Sequence, residues 1–242
     1  MPDLLTSTRL LNYSHADIQA LVSSRQWRQL PVYERIGAIY DFVRNEIAFG
    51  YNADDAISAS QVLHDGYGQC NTKTTLLMAL FRAVDIPCRF HGFTIHQALQ
   101  KGAIPHWLYA LAPQKIIHSW VEIEYAGQWL ALEGFILDHD YLKAIQQKFS
   151  HHRGAFCGYG VATPDLHSPP VEWQGKSTYI QQQGVADDFG IYASPDEFYA
   201  EHGTNLRGLK RWFYQWIGRH LMNWNVARLR TNRSDCLAPQ RP

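Results

Sequence analysis

A cysteine at the start of an apolar helix constrains this chain more than any other feature. The stretch from Gly66 to Phe93 reads GYGQCNTKTTLLMALFRAVDIPCRFHGF, and its two glycines around Tyr67 predict a tight turn or a positive φ. Apolar side chains then recur with helical spacing, at Leu76, Leu77, Leu80, Phe81 and Val84. The sequence therefore predicts a helix over residues 71–84, a stop at the proline that follows, and a strand over residues 88–93.

Cys70 stands where the glycine turn becomes the helix. Free backbone N–H groups and the positive end of the helix dipole at that position favour a thiolate, which is the nucleophilic form of cysteine. The structural alternative is a packing residue, because cysteine is among the most buried residue types. A functional thiol also needs a base and a group that orients the base, so the rest of the chain has to supply both.

Composition limits the class of protein. The 242 residues are 46% hydrophobic, and 22 basic residues balance 22 acidic ones, which predicts one domain with a sizeable core and no general attraction to nucleic acid. Four widely spaced cysteines do not make a disulfide framework. The N-terminus has no leader pattern and no stretch reaches the length of a membrane span, so we expect a cytoplasmic protein without an integral membrane segment.

The rest of the chain alternates helical and strand patterns. Helices are expected over residues 15–30, 31–46, 141–149, 195–202 and 206–230. Residues 116–125 alternate as a strand that turns at Ala126-Gly127 and returns over 128–135, while residues 151–190 have the composition of ordered loop with short strands. The last of these helices is basic. The spacing of its residues predicts an inner side that is mainly apolar, with these side chains on or near it: Leu209, Phe213, Trp216, Ile217, His220 and Trp224.

The hairpin supplies a base and an acid for Cys70. His118 lies early in its first strand, and a two-residue turn makes the numbers of paired residues sum to 253, so Glu133 faces Trp120 on the His118 side of the sheet. Diagonal neighbours lie about 7–8 Å apart, within reach of a carboxylate and an imidazole. A three-residue turn would put Glu133 on the other face, whereas Asp138 has the wrong parity for the two-residue turn.

Other residues have weaker claims to a function. Gln69 and the Cys70 N–H are candidate oxyanion donors, and Trp120 is a core residue that also shields the site. Cys88 and His91 have the spacing of half a zinc site, but no second pair accompanies them. His139, His151 and His152 are expected in loops. We therefore expect no metal and no cofactor.

These motifs in this order resemble the core of the transglutaminase-like superfamily. The resemblance rests on GYGQC with its helix, DIPCRFHGF, HSWVEI, and a tryptophan followed four residues later by an acid, all within about residues 60–138. It implies a papain-like α+β fold in which a helix bearing Cys70 packs on an antiparallel sheet. It also implies Cys70 as nucleophile, His118 as general base and Glu133 as the orienting carboxylate, although the family usually has Asp at this last position.

The resemblance implies a cysteine-dependent acyl transfer on a peptide or protein amide, through a thioacyl-enzyme that passes to water (protease, amidase or deamidase) or to an amine (transglutaminase). The alternative is a non-catalytic interaction module that kept the fold. We expect one domain over residues 1–242, with core motifs at 60–138 and a mixed C-terminal extension at 139–242 packed on the core. The aromatic-rich extension is expected to cover the cleft or to form an interface, with residues 175–190 at the entrance.

Overall fold

A computed structural model describes residues 4–205 and 208–235 of the chain. The first half contains α1 (Ala16–Ser24), α2 (Val32–Asn45), β1 (Ala48–Phe49), α3 (Ala59–Asp65), β2 (Tyr67–Gly68), α4 (Cys70–Ala83), β3 (Cys88–His96), α5 (His106–Leu111), β4 (Lys115–Tyr125) and β5 (Gln128–Leu132). The second half contains α6 (His139–Lys148), β6 (Phe156–Gly158), β7 (Val161–Thr163), β8 (Val185–Tyr192), α7 (Pro195–His202), α8 (Gly208–Phe213) and α9 (Arg219–Asp235).

The central helix α4 packs against the sheet strand β4 and is surrounded by α1, α2 and α3. Every residue of α4 after Cys70 is buried, including the polar ones. Their polar groups are satisfied inside: the Lys73 Nζ, for example, donates to the carbonyls of Arg44 and Ile136 at 3.2 and 3.1 Å. Burial lowers the pKa of Lys73 to about 7. The helix is therefore a fixed part of the core, with only its first residue reaching the surface.

The two glycines before α4 are needed for different reasons. Gly66 ends α3 with a φ of 70°, a left-handed conformation that favours glycine. Gly68 instead allows close approach, because a Cβ there would lie 2.7 Å from the Thr72 Oγ1 and 2.9 Å from the Lys73 Cγ. The turn that delivers the chain to Cys70 is thus specified at both positions.

The main sheet is antiparallel with strand order β5-β4-β3-β8. Its hairpin has the predicted register, since Val121 pairs with Leu132 and Tyr125 with Gln128 around the two-residue turn. Ala126 and Gly127 both have positive φ there, as a tight hairpin turn requires. The predicted α+β class, with a cysteine-bearing helix on an antiparallel sheet, is confirmed.

The C-terminal extension contributes to this sheet and to the contacts around it. The strand β8, in a region that the sequence favoured as mostly loop, pairs with β3 along the edge away from the hairpin. Asp138 caps α6 by accepting from the Tyr141 N–H at 2.8 Å, accepts from the Phe49 N–H at 2.7 Å, and forms an ion pair with Arg230 of α9. One of the basic residues of the last helix is therefore a structural partner of the core.

The face of the last helix differs from the prediction. Trp216, Ile217 and Trp224, expected on the inner side, are 67%, 43% and 61% exposed, and the buried positions of this region are Gly218, Met222 and Val226. A π-helical turn over Tyr214–Gly218 explains the difference. Such a turn inserts an extra residue, so the later side chains are rotated out of the phase expected for a continuous α-helix. The Leu209 side chain lies outside the described residues.

None of the helices in residues 4–205 and 208–235 combines the length and the apolar character needed to cross a membrane.

Replacing Arg230 with Gln should destabilise the protein by about 1–3 kcal/mol, because it leaves the buried carboxylate of Asp138 without its cation. Burial opposes charge on Asp138, but Arg230 and the two backbone donors outweigh it and lower the pKa of that carboxyl. The stabilisation is therefore present above the ordinary pKa of Asp and is lost as the pH falls through the lowered value. Urea unfolding across pH measures both effects.

Arg228→Gln is the matched control, because Arg228 lies on the same helix, is exposed, and stacks over Trp224. Its effect should stay within about 0.5 kcal/mol. Equal unfolding midpoints for the two variants would contradict the assignment of Arg230 as a structural partner.

Candidate active site

Cys70 is the first residue of α4 and borders an open cleft, where its side chain is partly buried. Its N–H belongs to the first turn of the helix, which has no intrahelical acceptors, so this group is free to meet an anionic atom. The three cysteines in the described part of the chain, Cys70, Cys88 and Cys157, are free thiols.

His118 and Glu133 meet in the fully buried space beside the cleft. The His118 Nε2 lies 3.2 Å from the Glu133 Oε1, and neither side chain is exposed. The other ring nitrogen, Nδ1, makes no hydrogen bond within the described chain. Burial opposes charge on the ring, but the Cys70 sulfur and then Glu133 outweigh it and raise the pKa of His118 to about 9. The charges thus favour an imidazolium between a sulfur and a carboxylate.

The second oxygen of Glu133 is held by the C-terminal extension. The Glu133 Oε2 accepts from the backbone N–H groups of Ile180 and Gln181, both at 2.9 Å. Because Oε1 contacts His118 and Oε2 accepts from these two donors, the Glu133 carboxylate is held in one orientation. The longer side chain, compared with the aspartate usual in the resembled family, spans the distance between hairpin and extension. The residues that hold it lie 47 and 48 positions further along the chain, where sequence patterns give no signal.

A partly buried polar network at the start of α4 also escaped the sequence analysis. The Asp55 Oδ1 accepts from the Asn71 side chain at 3.0 Å, and its Oδ2 accepts from the N–H and the side-chain amide of Asn205 at 3.1 and 2.9 Å. Asn205 also exchanges hydrogen bonds with the backbone of Ile117, next to His118. These contacts tie the start of α4 to the start of β4. Single Asp and Asn residues in loops have no periodicity that could reveal this.

The two remaining candidate residues, Gln69 and Trp120, differ in their position relative to the cleft. Gln69 lies in the cleft wall, but its carboxamide is engaged, accepting from the Asn52 N–H at 2.8 Å and donating to the Asp55 Oδ1 at 3.3 Å. Trp120 does not line the cleft. Its ring packs 4.4 Å from that of Phe93, which in turn lies 4.7 Å from the His118 ring. Trp120 therefore belongs to the buried layer behind the histidine, in contact with Phe93.

Cys88 and His91, which have the spacing of half a zinc site, make other contacts in the structure. The ring nitrogens of His91 lie 2.8 Å from carboxylate oxygens of Glu122 and of Asp188, and the Cys88 thiol is directed at the Met78 carbonyl at 3.6 Å. In the described residues, no group of three or more histidine, cysteine, aspartate and glutamate side chains is arranged to hold a metal ion.

The cleft above Cys70 has a volume of about 460 Å³ and is closed on one side by the last helices. Phe213, Tyr214, Gly218 and Met222 form that side. Of residues 175–190, which the sequence placed at the entrance, only Gln181 lines it. The extension thus covers the cleft mainly through its helices.

Residues 20–134 match the family described as the transglutaminase-like superfamily, close to half of the chain. No curated protein matches the sequence. A solved structure of a candidate cysteine protease from Cytophaga hutchinsonii shares 15% identity over 80% of this chain and 47% of that chain, with a TM-score of 0.46. Red sea bream transglutaminase shares 17% identity over 54% of this chain and 25% of its own, with a TM-score of 0.31. The chain therefore spans less than half the length of each.

The pH dependence of alkylation tests the sulfur–imidazole pair. Iodoacetamide should label Cys70 well below pH 8, because the imidazolium that stabilises a thiolate persists until the pH rises through about 9, the raised pKa of His118. Burial raises the pKa of Cys88 to about 11 and also raises that of Cys157, so both should react more slowly. Mass spectrometry of the labelled peptides measures each rate.

His118→Ala should remove the reactivity of Cys70 at low pH while circular dichroism shows an unchanged fold. If Cys70 of the unaltered protein reacts in parallel with the exposed Cys157 at every pH, the pair does not exist.

Glu133→Gln should leave the fold intact and slow any Cys70-dependent turnover by tenfold or more, on the order of what a wrong histidine tautomer costs. The new amide oxygen keeps the donors from Ile180 and Gln181, which turns the NH2 group toward the His118 Nε2. The proton of a neutral His118 is then forced onto the Nδ1 that should receive the thiol proton.

Asp138→Asn provides the comparison, since Asp138 serves α6 and Arg230. It should reduce the free energy of unfolding with little effect on the rate of the folded protein. A silent Glu133→Gln together with an inactive, stably folded Asp138→Asn would mean that the wrong acid has been assigned.

Proposed function

Because residues 20–134 match the transglutaminase-like superfamily, we propose that this chain is a cysteine-dependent acyl-transfer enzyme acting on an amide or peptide substrate. The observation that carries the proposal is the buried His118, coupled to Cys70 on one side and held by Glu133 on the other. A base that is oriented by an acid and lies beside a partly exposed thiol at a helix start has the parts that nucleophilic catalysis requires.

In the proposed reaction the Cys70 Sγ, as thiolate, attacks the carbonyl carbon of the substrate amide. The oxygen takes the negative charge near the Cys70 N–H, a free donor at the positive end of the helix. When the C–N bond breaks, His118 gives its proton to the leaving amine, and a thioester remains on Cys70.

The second half of the proposed reaction returns the enzyme to its starting state. Water or an amine attacks the thioester carbon and gives a proton to neutral His118. The C–S bond then breaks, so Cys70 leaves as thiolate beside imidazolium, and the product is an acid or a new amide. Throughout, Glu133 holds the ring in one orientation through Oε1, because its Oε2 is fixed by the extension.

The proposal extends to the organisation and location of the protein. A single domain over residues 1–242 is supported by the strand β8 in the main sheet and by the hold of the extension on Glu133. A reducing compartment such as the cytoplasm would keep Cys70 a free thiol, and it is free in the structure.

Incubation with p-nitrophenyl acetate should acetylate Cys70, detected as a mass increase on the peptide that carries it, with release of p-nitrophenol. Added hydroxylamine should remove the acetyl group and restore the thiol, because it attacks a thioester carbonyl. A mixture of short peptide amides then shows whether water or an added primary amine is the acceptor.

Cys70→Ala should abolish acetylation, whereas Cys157→Ala, at an exposed thiol that does not line the cleft, should leave it unchanged. A Cys70 that is not acetylated faster than Cys157, in protein shown to be folded, would favour the non-catalytic interaction module.

A further inference from the structure

The walls of the cleft above Cys70 are mostly apolar, and the apolar side chains come from separate parts of the fold. Ile116 and Ile117 come from β4, Leu108 from α5, and Ile136 from the segment after the hairpin, while Phe213 and Met222 close the opposite side. A cleft of about 460 Å³ is within the range of small-molecule sites. Such walls favour a ligand that leaves water cheaply and exclude one that needs hydrogen bonds.

The charged side chains in this lining are already paired with protein groups. Asp54 forms an ion pair with Arg211 of α8. Asp55 receives donors from Asn71 and Asn205, both of which also border the cleft. A charged acyl group would have to break one of these contacts to gain a charged partner, whereas an apolar group leaves them intact.

We propose that the cleft receives an apolar acyl group, so that the donors of this enzyme carry an aliphatic chain or a large apolar side chain on the carbonyl that meets Cys70. The reaction itself rests on the function proposed above. The site is the space between β4, α5 and the last helices, and the charged residues of its lining are Asp54, Asp55 and Arg211. Burial of methylene groups is what distinguishes a good donor from a poor one.

A chain-length series tests this inference on the full-length protein. p-Nitrophenyl acetate, butyrate, hexanoate and octanoate present the same leaving group with acyl chains that grow by two methylenes at a time. Each methylene that enters the cleft should raise kcat/KM by about three- to fourfold, from the usual gain on burying one. N-acetyl-leucine and N-acetyl-glycine p-nitroanilides form the second arm and distinguish an amino-acid side chain from a free chain as the source of the apolar group.

Met222→Trp should fill the cleft from α9 and remove the increase of kcat/KM with chain length. Leu221→Trp is the matched control, because the neighbouring Leu221 is 36% exposed and does not line the cleft. If Met222→Trp fails to fold, Leu108→Trp fills the same space from α5.

Failure of this inference is distinguishable from failure of the proposed function. One outcome is that Cys70 is acylated at a rate that stays flat or falls along the chain-length series and that is no higher for the leucine than for the glycine anilide. This result would overturn the proposal of an apolar acyl site and would leave the proposed reaction supported. If no probe acylates Cys70, calorimetric titration of the Cys70→Ala protein with octanamide tests ligand binding in the cleft separately from the reaction. Binding that Met222→Trp removes and Leu221→Trp keeps supports it, and no binding overturns it.

Discussion

The contact between His118 and Glu133 is the interaction on which the rest of the site depends. Both side chains are completely buried, so an unpaired charge on either would be expensive, and each is neutralised or hydrogen-bonded by a group from another part of the chain. The hairpin brings the two residues together, α4 brings the sulfur, and the extension supplies two N–H groups at 2.9 Å to the remaining oxygen. Geometry of this kind needs a rigid frame, because each partner has one acceptable position.

The frame is rigid because α4 is buried all round. Its polar residues are anchored from several sides, as Thr72 and Thr74 illustrate by donating to the Asn52 side chain at 2.6 Å and to the Ser119 carbonyl at 3.3 Å. A helix fixed in this way cannot rotate about its axis without breaking buried hydrogen bonds, each of which costs about 1–3 kcal/mol when left unmade. Cys70 therefore keeps its place relative to β4, and the cleft is formed by the surrounding elements instead of by movement of Cys70.

The sequence was sufficient for those parts of the site that follow from local periodicity. The helix beginning at Cys70 and the hairpin pairing that puts Glu133 beside His118 both follow from spacing, and both are present. The amide donors of Ile180 and Gln181, the Asp55–Asn205 contact and the strand β8 depend on contacts between distant segments, which periodicity does not encode. The outward tryptophans of the last helix were misplaced because one π turn changed the helical phase. The catalytic roles remain proposals that the experiments above address.

The hold of Ile180 and Gln181 on Glu133 has a consequence for synthesis of the protein. A ribosome delivers the cysteine, the histidine and the glutamate in that order, but the donors that orient the carboxylate emerge only 47 and 48 residues after it. Until then the nascent chain has a thiol and an imidazole without the geometry that joins them. A site that needs its C-terminal half in this way is assembled late, so the growing polypeptide does not present the complete arrangement of Cys70, His118 and Glu133 until Ile180 and Gln181 have been synthesised.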